Sequence, residues 1–578
     1  MSFEYRLINK SVGFTNILET LLENRGVTNI PLFLKPTKDS IEDIENYDNI
    51  NDWINCYLCH VREGNTIGII VDSDFDGLSS ASLMYQYTKD LNPNIEIHYF
   101  LHEGKKHGID DVLDEILTKD IKLLIVPDAG SNDVDSQEIL ISKGIDVLIA
   151  DHHEKEEEDK ERKGIVVNNQ FSSRVKSKAL TGVGVCYRIV KKIDSILNIN
   201  KADDYLDLVA CGMIADMSDL RDIEARYLVL KGIEILDKKQ GKNLLLKHMA
   251  DKQSYSMKDK VTISGVAFYI SPLINCVTRM GTKEDNTILF EAMCNIERMV
   301  KDKVRGKGEV EMTLQEYAMR MCEKTKRQQK KEVDKGVEEI LQQIKQYGLD
   351  KSAVLVCNGQ PLKEKALNGL VANKLSSQFH KPCLVLKDTG NCYCGSARGF
   401  EKSSIKDFRQ WCLDSNLFAL ASGHANAFGA IVDKNSMNNL FEYIRTIPCE
   451  DKLYYDVDGI YNSRSITPSL ITTISQYDYL WGGGVKEPLF AITEINVPSA
   501  DVKLIGAKKN TISFSTNGIS YIKFNCNEEL YNDIIKDGKD VNFTIIGKFT
   551  INEYNGNKTP QIIIEDMEYK TVEKKFRF

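Results

Sequence analysis

The sequence predicts an α/β protein: a parallel, doubly wound sheet, a long connecting helix, a second α/β unit and a small C-terminal β-barrel. Three observations support this. Short apolar runs alternate with helical stretches from about residue 65 to 220, Lys, Glu and Gln recur at helical spacing over residues 296–347, and short strand-like runs dominate after residue 510. A chain of 578 residues holds several cores, because single cores rarely grow beyond about 250–300 residues. The expected boundaries are an N-terminal cover at 1–62, the sheet-bearing domain at 63–290, the connecting helix at 291–349, the second α/β unit at 350–450 and the barrel at 451–578.

The cover offers no chemistry, only a helix over residues 41–58. Within it Cys56-Tyr-Leu-Cys59-His60 has the spelling of a haem attachment site. That chemistry needs export and a haem pocket, and a lone Cys pair makes a poor zinc site, so these residues are read as buried helix positions.

The first strand of the sheet is Ile67-Gly-Ile-Ile-Val71, and it runs straight into Asp72-Ser-Asp-Phe-Asp-Gly77. Three crowded carboxylates repel one another unless a cation sits among them. The spacing also opens a calcium loop, but the twelfth position is Leu83 where that loop needs a bidentate Glu, and an apolar strand leads in where a helix should. A metal site of another kind, or a solvated acidic turn, remains. A helix follows over residues 78–89.

Further strands are expected at 95–101, 121–126 and 145–150, the last two leading to Asp128 and to Asp151-His-His153. A helix over 134–143 separates them and stops at Gly144. In a doubly wound sheet the ligand crevice lies beyond the carboxyl ends of the strands, so Asp72, Asp74, Asp76, Asp128, His152 and His153 converge there. Thr181-Gly-Val-Gly184 reads as a glycine-rich turn before a helix. A helical apolar face within residues 203–220 ends at Asp216, with Asp207 and Asp219 as competitors.

The connecting helix, interrupted near Gly306 and Gly308, carries the basic run Lys324-Thr-Lys-Arg-Gln-Gln-Lys-Lys331, which could line a cleft for phosphates. In the second unit strands are expected at 353–357 and 382–386 and a helix at 367–379, while Ser396, Arg398 and His424 fall on glycine-rich turns whose donors could surround a phosphate. The last segment offers strands at 511–515, 521–524, 541–546 and 561–564, with Phe549 and Tyr554 beside Lys548 and Lys558 as a stacking surface for bases.

Composition excludes little. The chain is 42% hydrophobic and 28% charged, with a net charge of −9 that argues against a uniformly basic nucleic-acid binder and leaves local patches to decide. Fourteen cysteines without framework spacing suggest reduced core residues. No apolar run is long enough to span a bilayer, and Met1-Ser-Phe-Glu-Tyr-Arg-Leu7 lacks a signal-peptide core, which places the chain in the cytoplasm with no membrane partner.

Taken together, these residues resemble the DHH phosphoesterase superfamily and, within it, the RecJ single-strand DNA exonucleases. Asp72-Ser-Asp-Phe-Asp-Gly77, Pro127-Asp-Ala-Gly130, Asp151-His-His153 and Ala215-Asp-Met217 are similar to its four motifs. Pro272-Leu-Ile-Asn-Cys-Val-Thr-Arg279, Gly395-Ser-Ala-Arg398 and Ser422-Gly-His424 resemble its later segments, and Asn552-Glu-Tyr-Asn-Gly556 with Gln561 resembles the end of its oligonucleotide-binding fold. The family usually carries a His two residues before the first Asp, and this chain has Ile70; Leu273 stands where the family has Arg.

The resemblance implies a 5′-to-3′ exonuclease that hydrolyses single-stranded DNA to 5′-mononucleotides with two Mn²⁺ or Mg²⁺ ions. It implies metal ligation by Asp72, Asp74, Asp76, Asp128, His152 and Asp216, with Asp128 bridging. His153 would sit on the scissile phosphate and Asp151 would orient an imidazole. Arg279, Ser396, Arg398 and His424 would hold the nucleic acid, and replication or repair proteins are conceivable partners. Two other readings stay open: a phosphodiesterase for short oligonucleotides or cyclic dinucleotides, and a non-catalytic scaffold related to RecJ.

Overall fold

The computed structural model describes residues 2–572 except 14, 103, 105, 156–160, 363–366, 450, 451 and 555, and the side chain of Tyr554 lies outside the described residues. The chain divides into two compact units, residues 31–332 with 482–485, and residues 1–30 with 333–481 and 486–578.

The first unit is built on five parallel strands in the order Ile97–Leu101, Ile67–Val71, Leu123–Pro127, Asp146–Asp151, Ile165–Asn168. Every residue of Ile67–Val71 and of Leu123–Pro127 is buried, the signature of strands covered on both faces. Chain order reverses between these two neighbours, so the crevice at their carboxyl ends is the topological switch point. The sequence missed Ile165–Asn168, whose four residues are too few to show a period.

Helix Phe75–Leu91 begins earlier than its apolar pattern suggests, because the Asp74 carboxylate caps it by accepting from the backbone N–H groups of Asp76 and Gly77. Thr181-Gly-Val-Gly184 is no separate turn: helix Gly182–Leu197 starts within it. The helix expected over 41–58 is a single 3₁₀ turn, Ile44–Asn46, and then Ile50–Glu63. On that helix Cys56 is half-buried, but Cys59 is exposed rather than buried.

The largest departure lies before the long helix. Residues 299–313 form an antiparallel hairpin, Met299–Val304 with Gly308–Thr313, and only then does helix Leu314–Tyr347 begin. Gly306 and Gly308, with φ of 80° and 77°, supply the left-handed turn that helix spacing cannot accommodate.

In the second unit a mixed five-stranded sheet runs Leu420–His424, Ala427–Asp433, Cys392–Arg398, Cys383–Asp388, Leu355–Asn358. A seven-stranded mixed sheet carries the long hairpin Asp540–Tyr554 and Asn557–Val572, longer than the short runs expected there. Strand Ser2–Leu7 pairs in parallel with Lys452–Val457, and nearby the Arg25 guanidinium makes a bidentate, buried pair with Asp458 at 2.8 and 3.0 Å. Among the described residues, no helix is long and apolar enough to cross a membrane.

Candidate metal centre

All four acidic or histidine-bearing segments singled out in the first unit meet at the switch point. Groups at this point that could hold a cation, with ligand atoms all within 4.8 Å of one another, are Asp72, Asp74 and Asp128; Asp76, His152 and Asp216; and Asp128, His152 and His153, while Cys56, His60 and Asp146 form a further such group away from it. His152 Nε2 stands 3.2 Å from Asp128 Oδ1 and 3.7 Å from Asp216 Oδ2. The competitors of Asp216 are occupied elsewhere. Asp207 is buried and accepts from the backbone of Leu208 and Asn243, and Asp219 pairs with Arg221.

Glycines make this crowding possible. A Cβ on Gly77 would lie 2.4 Å from Asp72 Cβ, and one on Gly212 would lie 2.7 Å from Asp76 Oδ1. Asp128 adopts φ 67°, an uncommon conformation for a non-glycine residue, while its N–H donates to the Ala150 carbonyl at 2.8 Å. Thr181 heads helix Gly182–Leu197, but its hydroxyl does not cap that helix; it donates to Asp76 Oδ1 at 2.8 Å.

Burial, then neighbouring carboxylates, raise the pKa of Asp72 and Asp128 well above the usual range. Burial likewise lifts Asp76 to about 6 and Asp216 to about 8. Asp72 Oδ1, Asp76 Oδ2 and Asp128 Oδ1 are buried without a hydrogen-bond partner. Carboxylates so placed suit divalent cations: oxygen donors with one or two imidazoles.

Asp151 behaves in the opposite way. Burial opposes its ionisation, yet bonds from His153 Nδ1 at 2.8 Å and from the N–H groups of Ser131, His152 and His153 hold its pKa below the usual carboxylate range. The same pair outweighs the burial of His153 and lifts its pKa to about 9. His153 is thus fixed at Nδ1 by Asp151, with 42% of its side chain exposed.

Arg279, on helix Ser271–Met280, is part-buried and senses the Asp74 charge. Burial lowers the pKa of Lys326, on the long helix, and repulsion from Arg279 lowers it further. The two cations are near enough to repel each other, and Arg279 also feels the Asp74 carboxylate.

Ser396, Arg398 and His424 lie in the second unit, on strands and not on turns. Arg398 and His424 both register with Ala427, and Ser396 registers with Gly429 one pleat away, so the three side chains share a face. Helix Asn368–Phe379 begins beside it: a Cβ on Gly369 would stand 2.6 Å from Arg398 Nη2 and 3.6 Å from Ser396 Oγ. Phe549 is buried and stacks on Phe490 at 4.0 Å, so it packs the core and offers no platform for a base. Sequence reasoning passed over His102, a lone His after a strand, although the structure puts its Nε2 3.8 Å from Asp72 Oδ1.

Residues 66–213 match the family model described as DHH family, N-terminal domain, and residues 457–566 match the RecJ OB domain. A SPbeta prophage-derived protein of Bacillus subtilis (strain 168), which carries the name of a single-strand DNA-specific exonuclease, is 34% identical over 98% of both chains. The single-stranded-DNA-specific exonuclease RecJ of the same organism is 25% identical over 97% of this chain and 69% of its own. The crystal structure of RecJ in complex with Mn²⁺ from Thermus thermophilus shares the fold with a TM-score of 0.74 at 17% identity, covering 99% of this chain and 80% of that one. The chain therefore belongs to the RecJ-like single-strand DNA-specific exonucleases, DHH-family phosphodiester hydrolases with a C-terminal OB domain.

Proposed function

We propose that the protein degrades single-stranded DNA from the 5′ end to 5′-mononucleotides, using two divalent ions, Mn²⁺ or Mg²⁺. The observation that carries this reading is the set of buried, unpartnered oxygens on Asp72, Asp76 and Asp128 beside His152 and Asp216. Uncompensated buried carboxylates are too costly to keep without a cation. The donor set fits such ions, with imidazole favouring Mn²⁺, and Asp72, Asp74, Asp76, Asp128, His152 and Asp216 would hold them. Ions bound there would supply an acidified water and stabilise charge on the attacking and leaving oxygens.

The chain's own groups do the rest. His153, anchored through Nδ1 by Asp151, presents its Nε2 edge to a phosphate oxygen at the scissile position. Arg279 and Lys326 draw the backbone into the same region by charge. Ser396, Arg398 and His424 form a donor face at the start of a helix, the arrangement that binds a terminal phosphate, and this supports 5′-end recognition.

The test is digestion of end-labelled single and double strands, with the label at either end, and of dinucleotides. The reading expects metal-dependent release of mononucleotides from the 5′ end of long single strands. It also expects Asp128→Ala to abolish that release. Retained activity in the purified variant, or a preference for dinucleotides, would overturn it.

A further inference from the structure

Ile70, two residues before Asp72, is fully buried in the apolar core beside the sheet. Its own strand cannot bring an imidazole to the site. The neighbouring strand can. Ile97–Leu101 pairs in register with Ile67–Val71, Leu101 opposite Val71, so the next residue, His102, arrives beside Asp72.

The His102 side chain is wholly buried, and neither Nδ1 nor Nε2 has a hydrogen-bond partner. Asp72 Oδ1, 3.8 Å from Nε2, is buried and unpartnered as well. Two polar groups facing each other in the interior, just beyond bonding distance, each carry a desolvation penalty with nothing to offset it. An apolar side chain would fill the space at less cost, so a role in the site accounts for the histidine better than packing does.

We infer that His102 is a positioning residue of the metal centre: the imidazole partner of Asp72, donating from Nε2 to Oδ1 while Asp72 serves a cation together with Asp74 and Asp128. This rests on the metal-dependent reading above. Carboxylates that ligate metals are themselves held by hydrogen bonds from behind, and losing such a partner typically costs about 10–100-fold in metal affinity.

The experiment titrates Mn²⁺ into chelator-treated, full-length protein, reading free Mn²⁺ by electron paramagnetic resonance. The variants are His102→Phe, which keeps the ring without donors, His102→Gln, whose amide reaches the Nε2 position, and His102→Asn, which falls short of it. The wild type should bind Mn²⁺. His102→Phe and His102→Asn should bind about 10–100-fold more weakly, without a lowered melting temperature in the metal-free state, and His102→Gln should recover to within a few-fold. Should the phenylalanine variant fail to fold, the Gln-against-Asn difference reads the same point. Wild-type affinity in His102→Phe, or equal deficits in Gln and Asn, overturns the inference. Absence of Mn²⁺ binding by the wild type instead overturns the metal-dependent reading and this inference with it.

Discussion

Gly182 lies so close to Asp128 that a Cβ on it would stand 2.3 Å from the carboxylate Oδ1 and 2.4 Å from Asp128 Cβ. In an ordinary helix, Gly→Ala stabilises by about 0.5–1 kcal/mol. Here the sign reverses, because the added methyl must displace a buried side chain, and overpacking of this kind costs about 1–3 kcal/mol. Gly182→Ala should therefore lower the melting temperature and weaken Mn²⁺ binding by at least tenfold. Thermal unfolding and a metal titration check both.

Thr181 tests the support of Asp76. Thr181→Val keeps the shape but strips the donor from a buried carboxylate oxygen, at a cost of about 1–3 kcal/mol. Thr181→Ser retains the hydroxyl and should stay close to wild type. Equal stability of the Val and Ser variants in denaturant unfolding would show that the hydroxyl does not support Asp76.

The metal-free protein should lose stability as pH rises. Asp76 and Asp216 titrate at about 6 and about 8 in the fold against the ordinary 3.8, so between pH 4 and 8 the folded state holds more protons than the unfolded one. The contribution of these two groups to stability then falls with increasing pH across that window. Melting temperatures of chelated protein at pH 5 and pH 8.5 read the fall, and saturating Mn²⁺ or Mg²⁺ should abolish it, since a cation favours the ionised carboxylates.

Arg279 and Lys326 should act as phosphate contacts. Each single change to Gln should weaken single-strand binding alike for all sequences and reduce the slope of log affinity against log salt by roughly 0.7. The Lys326 change should not lower metal-free stability, because it relieves repulsion from Arg279 and leaves the attraction between Arg279 and Asp74 in place. A binding titration at several salt concentrations with two unrelated oligonucleotides provides the measurement.

The residues legible in the sequence were those whose chemistry sits at the end of an apolar run. Strand Ile67–Val71 came out residue for residue, and Asp72, Asp74, Asp76, Asp128, His152 and His153 fell where its topology demanded. The central strand that carries Ser396 and Arg398 did not, because Gly395 and Ala397 beside them carry no strand signal. Charged alternation in Met299–Val304 looked helical, since a solvent-facing ribbon shows little apolar period of either kind. His102 was invisible for another reason. Only the pairing of two strands brings it beside Asp72, and register is not written in either strand alone.

The parallel pairing of Ser2–Leu7 with Lys452–Val457, locked by Arg25 on Asp458, has a consequence for synthesis on the ribosome. Residues 1–30 are made well before the rest of the unit they complete, which lies beyond residue 332. All of the nuclease core except residues 482–485 is made in the interval, while the leading segment waits unpaired. A fusion partner or deletion at the amino end would accordingly injure the distant, late-made half of the molecule and leave the ion-binding pocket's own scaffold intact.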